Sequence, residues 1–199
     1  MAFLLADQTF WAEWPVEEGR QALDPTRNVT HDVHVTYDDI RVRRVVVGDA
    51  IELGQFYADL SAESRASRFH SASRGISHEQ ADHFASADHR RRDGFVAVAD
   101  RRIVGHLALE PIGPETDELA IAVDDRFQQH GVGTLLLAAG IASARLRGVR
   151  RIVALVKAEN GPMQHLLTTS QHPLRLGWEG SQARYELEVL PEASGQAAA

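Results

Sequence analysis

The sequence predicts an α/β (α+β) fold, a mixed central sheet flanked by helices. Short β-branched and apolar runs alternate with longer segments whose apolar residues have helical spacing. The early strands follow one another through short turns, as in antiparallel hairpins, whereas the later strands alternate with helices, as in parallel crossovers. The chain has 199 residues, enough for one domain with a sizeable core.

Composition excludes several classes of protein. An apolar content of 44% and a charged content of 25% are typical of a soluble globular protein. The absence of cysteine excludes disulfides, thiol nucleophiles and thiolate metal sites. The net charge of −7 argues against nucleic acid as a partner and is compatible with a cationic amine substrate. No apolar run approaches a membrane span and no basic segment precedes the N-terminal apolar cluster, so we expect a cytoplasmic protein without a membrane partner.

The two ends of the chain are expected to lie outside the main domain. In residues 1–36 the apolar residues follow neither helical nor strand spacing, and we expect their apolar cluster to pack on the domain or on a partner chain. His31 and His34 lack further ligands nearby, so a solvated strand edge is favoured over a metal site there. The main domain is predicted at 37–191, and a frayed tail rich in Ala, Ser, Gly and Gln at 192–199.

The first half of the chain is predicted to hold strands and helices in this order: a strand at 40–47, a helix at 51–60, a second helix starting near 61, a helix from 77 to about 87, and strands at 94–99 and 103–110. Asp49 is a plausible N-cap, and Ser77 with Gln80 forms a capping box. The polar residues 100–102 turn the chain between the last two strands, and the proline-rich residues 111–114 are predicted to form a loop.

The second half of the chain alternates strands and helices: a strand at 118–123, a helix to about 147, a strand at 152–156, a helix to about 167, and a last strand at 185–190 to which 176–178 leads. Gly148 is expected to end the long helix as a C′ residue.

A glycine loop lies between the strand at 118–123 and the long helix. Residues 128–134 place Gly131 and Gly133 at the helix start, where backbone N–H groups and the helix dipole favour an anion such as a phosphate. The loop is not a P-loop, because no lysine follows Gly133, and it is not a dinucleotide fingerprint, because Leu136 replaces the third glycine. A tight helix start without a ligand is the alternative interpretation.

Two motifs in this half resemble the GNAT superfamily of CoA-dependent N-acyltransferases. Gln128, Gly131 and Gly133 match the pyrophosphate loop of that superfamily in register, and Asn160 opens the next helix as in the family. The element order also matches, over about residues 40–190. The resemblance implies that the central strands of the sheet splay apart.

The resemblance further implies acetyl-CoA as co-substrate and no metal. Its pyrophosphate is expected on the backbone amides of 129–134, its thioester and pantetheine amides near 121–123, and its pantetheine arm beside Asn160. The residues implied in this binding are Ile121, Ala122, Val123, Gln128, Gln129, His130, Gly131, Val132, Gly133, Thr134, Asn160 and Met163. The family commonly has Gly at the position of Gln129 and Arg at that of His130, so a charged contact to the pyrophosphate is expected to be weaker here.

The stretch around Ser61–Phe69 and the ungapped segment from Glu118 to Gly133 resemble bacterial protein-lysine acetyltransferases. In that group the glutamate at the position of Glu118 is the general base. An alkyl amine with a pKa of about 10.4 must lose a proton before it attacks a thioester, and a carboxylate can accept that proton. Asp117 is the competing carboxylate, on the opposite side of the strand.

The general acid, the function and the oligomeric state remain open from the sequence. Many GNAT enzymes have a tyrosine acid where this chain has Leu167, and Tyr185 is only a distant substitute. This departure, with those at Gln129 and His130, favours a non-catalytic acyl-CoA-binding sensor module. A small-molecule amine or antibiotic N-acetyltransferase competes with the protein-lysine acetyltransferase. We expect a monomer or a homodimer.

Overall fold

The computed structural model describes residues 35–37, 40–69 and 75–190, and the predictions for 1–34 and 192–199 lie outside them. Two 3-10 turns, Val47–Asp49 and Asp125–Phe127, accompany the strands and helices. The elements in chain order are β1 (Val35–Tyr37), β2 (Ile40–Arg44), α1 (Ala50–Asp59), α2 (Ala62–Phe69), α3 (His78–Ala85), β3 (Asp93–Ala99), β4 (Arg102–Gly113), β5 (Thr116–Val123), α4 (Val132–Leu146), β6 (Arg151–Lys157), α5 (Gly161–Thr168), β7 (Leu174–Glu179) and β8 (Gln182–Glu188).

The strands form one eight-stranded sheet in the order β1-β2-β3-β4-β5-β6-β8-β7. Neighbouring strands are antiparallel except β5 and β6, which are parallel because the helix α4 carries the chain back between them. The predicted mixed α/β sheet with flanking helices is confirmed.

The parallel pair β5–β6 is short. Its Cα partners are limited to Thr116–Glu118 on β5 and 151–153 on β6. Beyond that point β5 continues against β4 as far as Val123, and β6 continues against β8 as far as Lys157. The two central strands therefore splay apart, as the resemblance implied, and leave one backbone edge of each strand open.

Each face of the sheet has its own apolar core. Leu107, Leu136 and Ile152 are fully buried on the face covered by α4. Leu53 and Tyr57 of α1 are fully buried on the opposite face, which carries α1, α2 and α3. The third helix starts at the predicted capping box of Ser77 and Gln80, and α4 ends before Gly148, which has φ 78°.

Several predicted boundaries require correction. The predicted loop at 111–114 is mostly strand, because β4 runs to Gly113 with an irregular register between Pro111 and Gly113. The strand β5 starts at Thr116, so Glu118 lies inside the strand and not at its start. Residues 176–178 belong to a separate strand, β7, that forms a hairpin with β8. Val35, within the predicted extension, begins β1.

Candidate active site

A cleft opens where β5 and β6 separate, on the side of the sheet that carries α2 and α3. Part of it is open to solvent. The cleft is lined by Ser67, Arg68, Phe84, Ala108, Glu110, Glu118, Leu119, Ala120, Ile121, Leu155, Asn160 and Met163. Four of the predicted site residues, Glu118, Ile121, Asn160 and Met163, are thus brought together.

Glu118 lies at the mouth of the splay. It faces Glu110 of β4 in the antiparallel register and Val153 of β6 in the parallel register. Burial raises the pKa of Glu118 to about 7, and the positive charge of Arg68 opposes this rise. Negative charge on Glu110 and Glu179 raises the pKa further. A carboxyl with this pKa is divided between its two protonation states near neutral pH, which suits a group that accepts and releases a proton.

Glu110 is a second carboxylate in the cleft that the sequence analysis did not single out. The side chain of His83 contacts it with Nε2 at 3.0 Å from Oε1, and Arg92 lies 3.9 Å away. The residue is 7% exposed. The hairpin between β4 and β5 brings it opposite Glu118, so two carboxylates face the cleft side by side.

Asp117 points away from the cleft, as the alternation of strand residues predicts. Its carboxylate pairs with Nη2 of Arg147, just after α4, at 2.5 Å. Burial nevertheless raises the pKa of Asp117, because desolvation outweighs the attraction of Arg147. Asp117 is therefore a buried structural residue on the α4 face.

The loop before α4 has the backbone shape of an anion cradle. Gln129 and Gly131 have φ values of 61° and 79°, and Gly131 is the N-cap of α4. Gln128 donates from Nε2 to the carbonyl of Val123 at 3.2 Å, and His130 Nδ1 lies 2.7 Å from the carbonyl of Gln128. These local contacts hold the loop while the first amides of α4 remain outside the helical hydrogen-bond pattern.

The two glycines of the loop differ in their surroundings. A Cβ at Gly131 would meet nothing within 4 Å, whereas a Cβ at Gly133 would meet Cδ2 of Leu166 at 3.3 Å. From the sequence, Gly133 is predicted only as part of the phosphate cradle. The structure adds that its missing side chain allows α4 to approach α5.

The remaining predicted cofactor residues lie along β5 and at the start of α4. Ala122 is buried and pairs with His106, and Val123 pairs with Gly105. Val132 is buried in the core, so only its backbone faces the loop, and Thr134 is exposed.

Asn160 forms the opposite wall of the cleft. Its side chain accepts a hydrogen bond from the backbone N–H of Met163 at 3.1 Å and so caps α5. Leu155 of β6 also lines the cleft. The prediction that Asn160 opens the helix is confirmed.

The helix α2 bridges the splay, which the sequence analysis did not predict. Its first turn is bound to the β5 side, because Ser61 and Ser64 donate from their hydroxyl groups to Asp125 at 2.7 Å. The backbone carbonyl of Ala66, in the same helix, accepts a hydrogen bond of 2.9 Å from Nζ of Lys157, which ends β6. Only tertiary structure brings these residues together.

Tyr185 cannot replace the tyrosine acid of the family. It is 4% exposed, belongs to the core on the α4 face, and pairs with Ala154 across β6 and β8. Leu167, at the position of that tyrosine, is fully buried in the same core. The idea that Tyr185 could act as a substitute acid was therefore wrong.

No group of three or more residues suited to a metal occurs within residues 35–37, 40–69 and 75–190. In the same ranges no helix combines the length and the apolar character that a membrane crossing requires.

A splayed strand pair, a glycine loop at a helix start and a carboxylate at the point of separation together define a CoA-dependent acyltransferase. The model of the Acetyltransferase (GNAT) family matches residues 57–170, more than half of the chain. The chain therefore belongs to the GNAT family and is an acetyltransferase.

Solved structures agree with this fold. The GNAT domain of S. lividans PAT is 28% identical, with a TM-score of 0.73 over 79% of this chain and 96% of that domain. Two more distant structures support the fold alone. The yncA protein of Salmonella typhimurium, solved with its cofactor acetyl-CoA, is 16% identical over 81% of this chain and all of its own, with a TM-score of 0.62. A cAMP-binding acyltransferase from Mycobacterium smegmatis is 21% identical, with a TM-score of 0.55 over 80% of this chain and 48% of its own.

Acetyl-CoA is the donor used by this kind of acetyltransferase, and the described residues fit it. The open edge of β5 beyond Glu118 offers unpaired backbone groups for amides of the pantetheine arm. The absence of a side chain at Gly131 leaves space beside the amides at the start of α4.

Proposed function

We propose that this protein transfers the acetyl group of acetyl-CoA to a primary amine, the side chain of a protein lysine, by direct attack with Glu118 as general base. The observation that carries the proposal is the position of Glu118, inside the cleft at the point where β5 and β6 separate. Bound acetyl-CoA supplies an activated thioester, which an uncharged amine attacks.

The described residues account for the proton transfer. The acceptor amine arrives protonated, since its pKa is about 10.4, and Glu118 accepts the proton directly or through a water. The pKa of Glu118, about 7, lets the carboxylate release this proton to solvent after each turnover. Among the described residues that line the cleft there is no tyrosine, so we expect the leaving thiolate to be protonated by solvent.

Two observations support this acceptor, the first its origin in a protein and the second its positive charge before deprotonation. The first is the likeness, at 28% identity, to the GNAT domain of S. lividans PAT. The second is the pair Glu110 and Glu118, which gives the cleft a negative side for an ammonium group.

A small-molecule amine is the second candidate acceptor, because the cleft is confined between α2, α3 and the sheet. A non-catalytic acyl-CoA sensor is the third candidate. It is favoured by Gln129, His130 and Leu167 and opposed by the position of Glu118. The cytoplasmic location and the monomeric or homodimeric state stay predictions.

The test is an acetyl-CoA turnover screen that measures release of free CoA thiol. The purified chain is offered amines of several classes and candidate acyl-CoA synthetases, and products are identified by mass. Acetylation of a lysine on a protein acceptor supports the proposal. Acetylation of small amines alone selects the second candidate. Binding of acetyl-CoA without hydrolysis or transfer selects the sensor.

A further inference from the structure

Arg68 is a buried arginine at the end of α2 that lines the cleft. It is 8% exposed, and its guanidinium stacks over the rings of Phe69 and Phe84, at 4.9 and 5.7 Å from their centroids. Its Nε has no hydrogen-bond partner. The side chain is thus fixed by aromatic contacts while one of its donors remains unused.

The charge of Arg68 acts on Glu118, which lines the same cleft and whose pKa it lowers. Among the described residues, however, no Asp or Glu forms an ion pair with Arg68 within 4.0 Å. A buried guanidinium with an unused N–H donor is less stable than one whose donors are all hydrogen-bonded. Since Arg68 lines a cleft that ligands reach, its guanidinium would attract an anionic oxygen of a ligand bound there.

The first turn of α2 lies next to the glycine loop, where Gln128 donates to Ser64 at 3.1 Å, and Arg68 lies one turn further along the helix, in the cleft. The residues of β5 that share the cleft with Arg68 are 118–121, whereas the glycine loop at 128–134 follows the other end of the strand. An anionic oxygen beside residues 118–121 would belong to the reacting end of the complex. Guanidinium groups are well suited to carboxylates, which they bind through paired N–H donors.

Building on the proposed function, we propose that Arg68 binds a carboxylate of the acceptor, so that the preferred acceptor carries an acidic group close to the reactive amine. In a protein acceptor this is an acidic side chain beside the lysine. The cleft then matches the acceptor at both ends, with Glu110 and Glu118 facing the ammonium and Arg68 facing the carboxylate. In a free amino acid, the carboxylate bound by Arg68 is the α-carboxylate of the same molecule.

The test uses matched acceptors that differ in one carboxylate. Lysine peptides with Glu beside the lysine are compared with peptides that have Gln there, and L-lysine is compared with L-lysinamide. The wild type is expected to prefer the acidic member in kcat/KM by about 10- to 100-fold, the usual effect of a hydrogen bond to a charged group. Arg68→Gln should abolish the preference, and Arg68→Lys should restore part of it. The peptide and amino-acid pairs separate the two sources of carboxylate.

The ratio of kcat/KM for the acidic acceptor to kcat/KM for its neutral partner distinguishes carboxylate binding by Arg68 from a structural role. Loss of packing, or a changed pKa of Glu118, would lower the rates of both members equally and leave the ratio unchanged. A wild-type ratio near unity, or an unchanged ratio in Arg68→Gln, overturns the inference. A preference for succinyl-CoA over acetyl-CoA that depends on Arg68 overturns it as well, because the carboxylate would then belong to the acyl group.

A binding measurement covers the case in which no acceptor is turned over. The thermal shift of the protein with CoA is measured with 5-aminopentanoate and with 5-aminopentanamide. A shift with the acid alone, lost in Arg68→Gln, supports the inference even if the proposed function fails. Equal shifts, or none, overturn it.

Discussion

Glu118 and Val153 are the last Cα partners of the parallel pair β5–β6. Glu118 is therefore fixed by strands on both sides, since it also pairs with Glu110 of β4. From the next residue onward the edge of β5 toward β6 is free for a ligand. The carboxylate thus stands on a rigid element at the boundary between paired and open backbone, a position that suits a base that deprotonates an amine beside a bound thioester.

Replacing Glu118 with Gln should remove general-base catalysis. We expect the maximal rate to fall by about 10²–10⁴-fold, with CoA affinity nearly unchanged because the carboxylate lies far along β5 from the glycine loop. The wild-type rate should rise with pH through about 7, where Glu118 ionises. The variant should lack this rise and recover only at higher pH, where the amine is neutral. Measurement of the maximal rate over a range of pH, for the wild type and the variant, tests both effects.

A Glu118→Gln variant with the wild-type rate and pH profile would place the base elsewhere. If Asp117→Asn were then inactive although folded, the carboxylate on the other face of β5 would be the base.

The same substitution should change stability in a pH-dependent way. The pKa of Glu118 is raised from 4.5 to about 7 in the folded state, so the folded protein binds the proton more tightly than the unfolded chain. Its contribution to stability is complete below 4.5 and is lost as the pH rises through about 7. At pH 8 the variant should therefore be more stable than the wild type by on the order of 1–3 kcal/mol.

Urea unfolding at several pH values measures this difference, which should disappear near pH 4. An equal difference at both pH values would mean that the amide, and not the ionisation of Glu118, changes the stability.

Asp117→Asn is the matched control on the opposite face. It leaves Arg147 without its partner at 2.5 Å, although Asp93 lies 4.0 Å away and keeps part of the attraction. We expect only a small change in the free energy of unfolding at neutral pH, because the raised pKa of Asp117 means that desolvation of its carboxylate offsets the attraction to Arg147. The turnover of the folded fraction should stay within a small factor of the wild type. A stable but inactive variant would contradict this assignment.

The two glycines of the loop should respond differently to alanine. Gly131 has φ 79°, so Gly131→Ala forces a strained backbone and should move the amides before α4. We expect CoA affinity to fall by about tenfold, the scale of one or two lost backbone hydrogen bonds to a phosphate. Gly133→Ala only pushes Leu166 by a few tenths of an ångström and should mainly lower the melting temperature. Calorimetry with CoA measures both, and normal binding by Gly131→Ala would contradict the loop assignment.

Local sequence patterns determined the order of the elements and the position of the loop. Gly131, Gly148 and the capping box of Ser77 act within a few residues, and their backbone requirements can be recognised without the rest of the chain. The alternation of β5 likewise placed Asp117 and Glu118 on opposite faces. The separate strand β7 was missed because Leu176–Trp178 is short and its pairing with β8 depends on a turn that follows it.

The sequence by itself determined the succession of strands and helices, the glycine loop and the strand on which Glu118 lies, because each depends on contacts between near neighbours in the chain. Only the tertiary structure decided which side chains surround Glu118. Glu110 arrives through the extended β4–β5 hairpin, and Arg68 arrives because α2 is bound on one side to Asp125 and on the other to Lys157. Such pairings join residues far apart in the chain, and no local pattern records them.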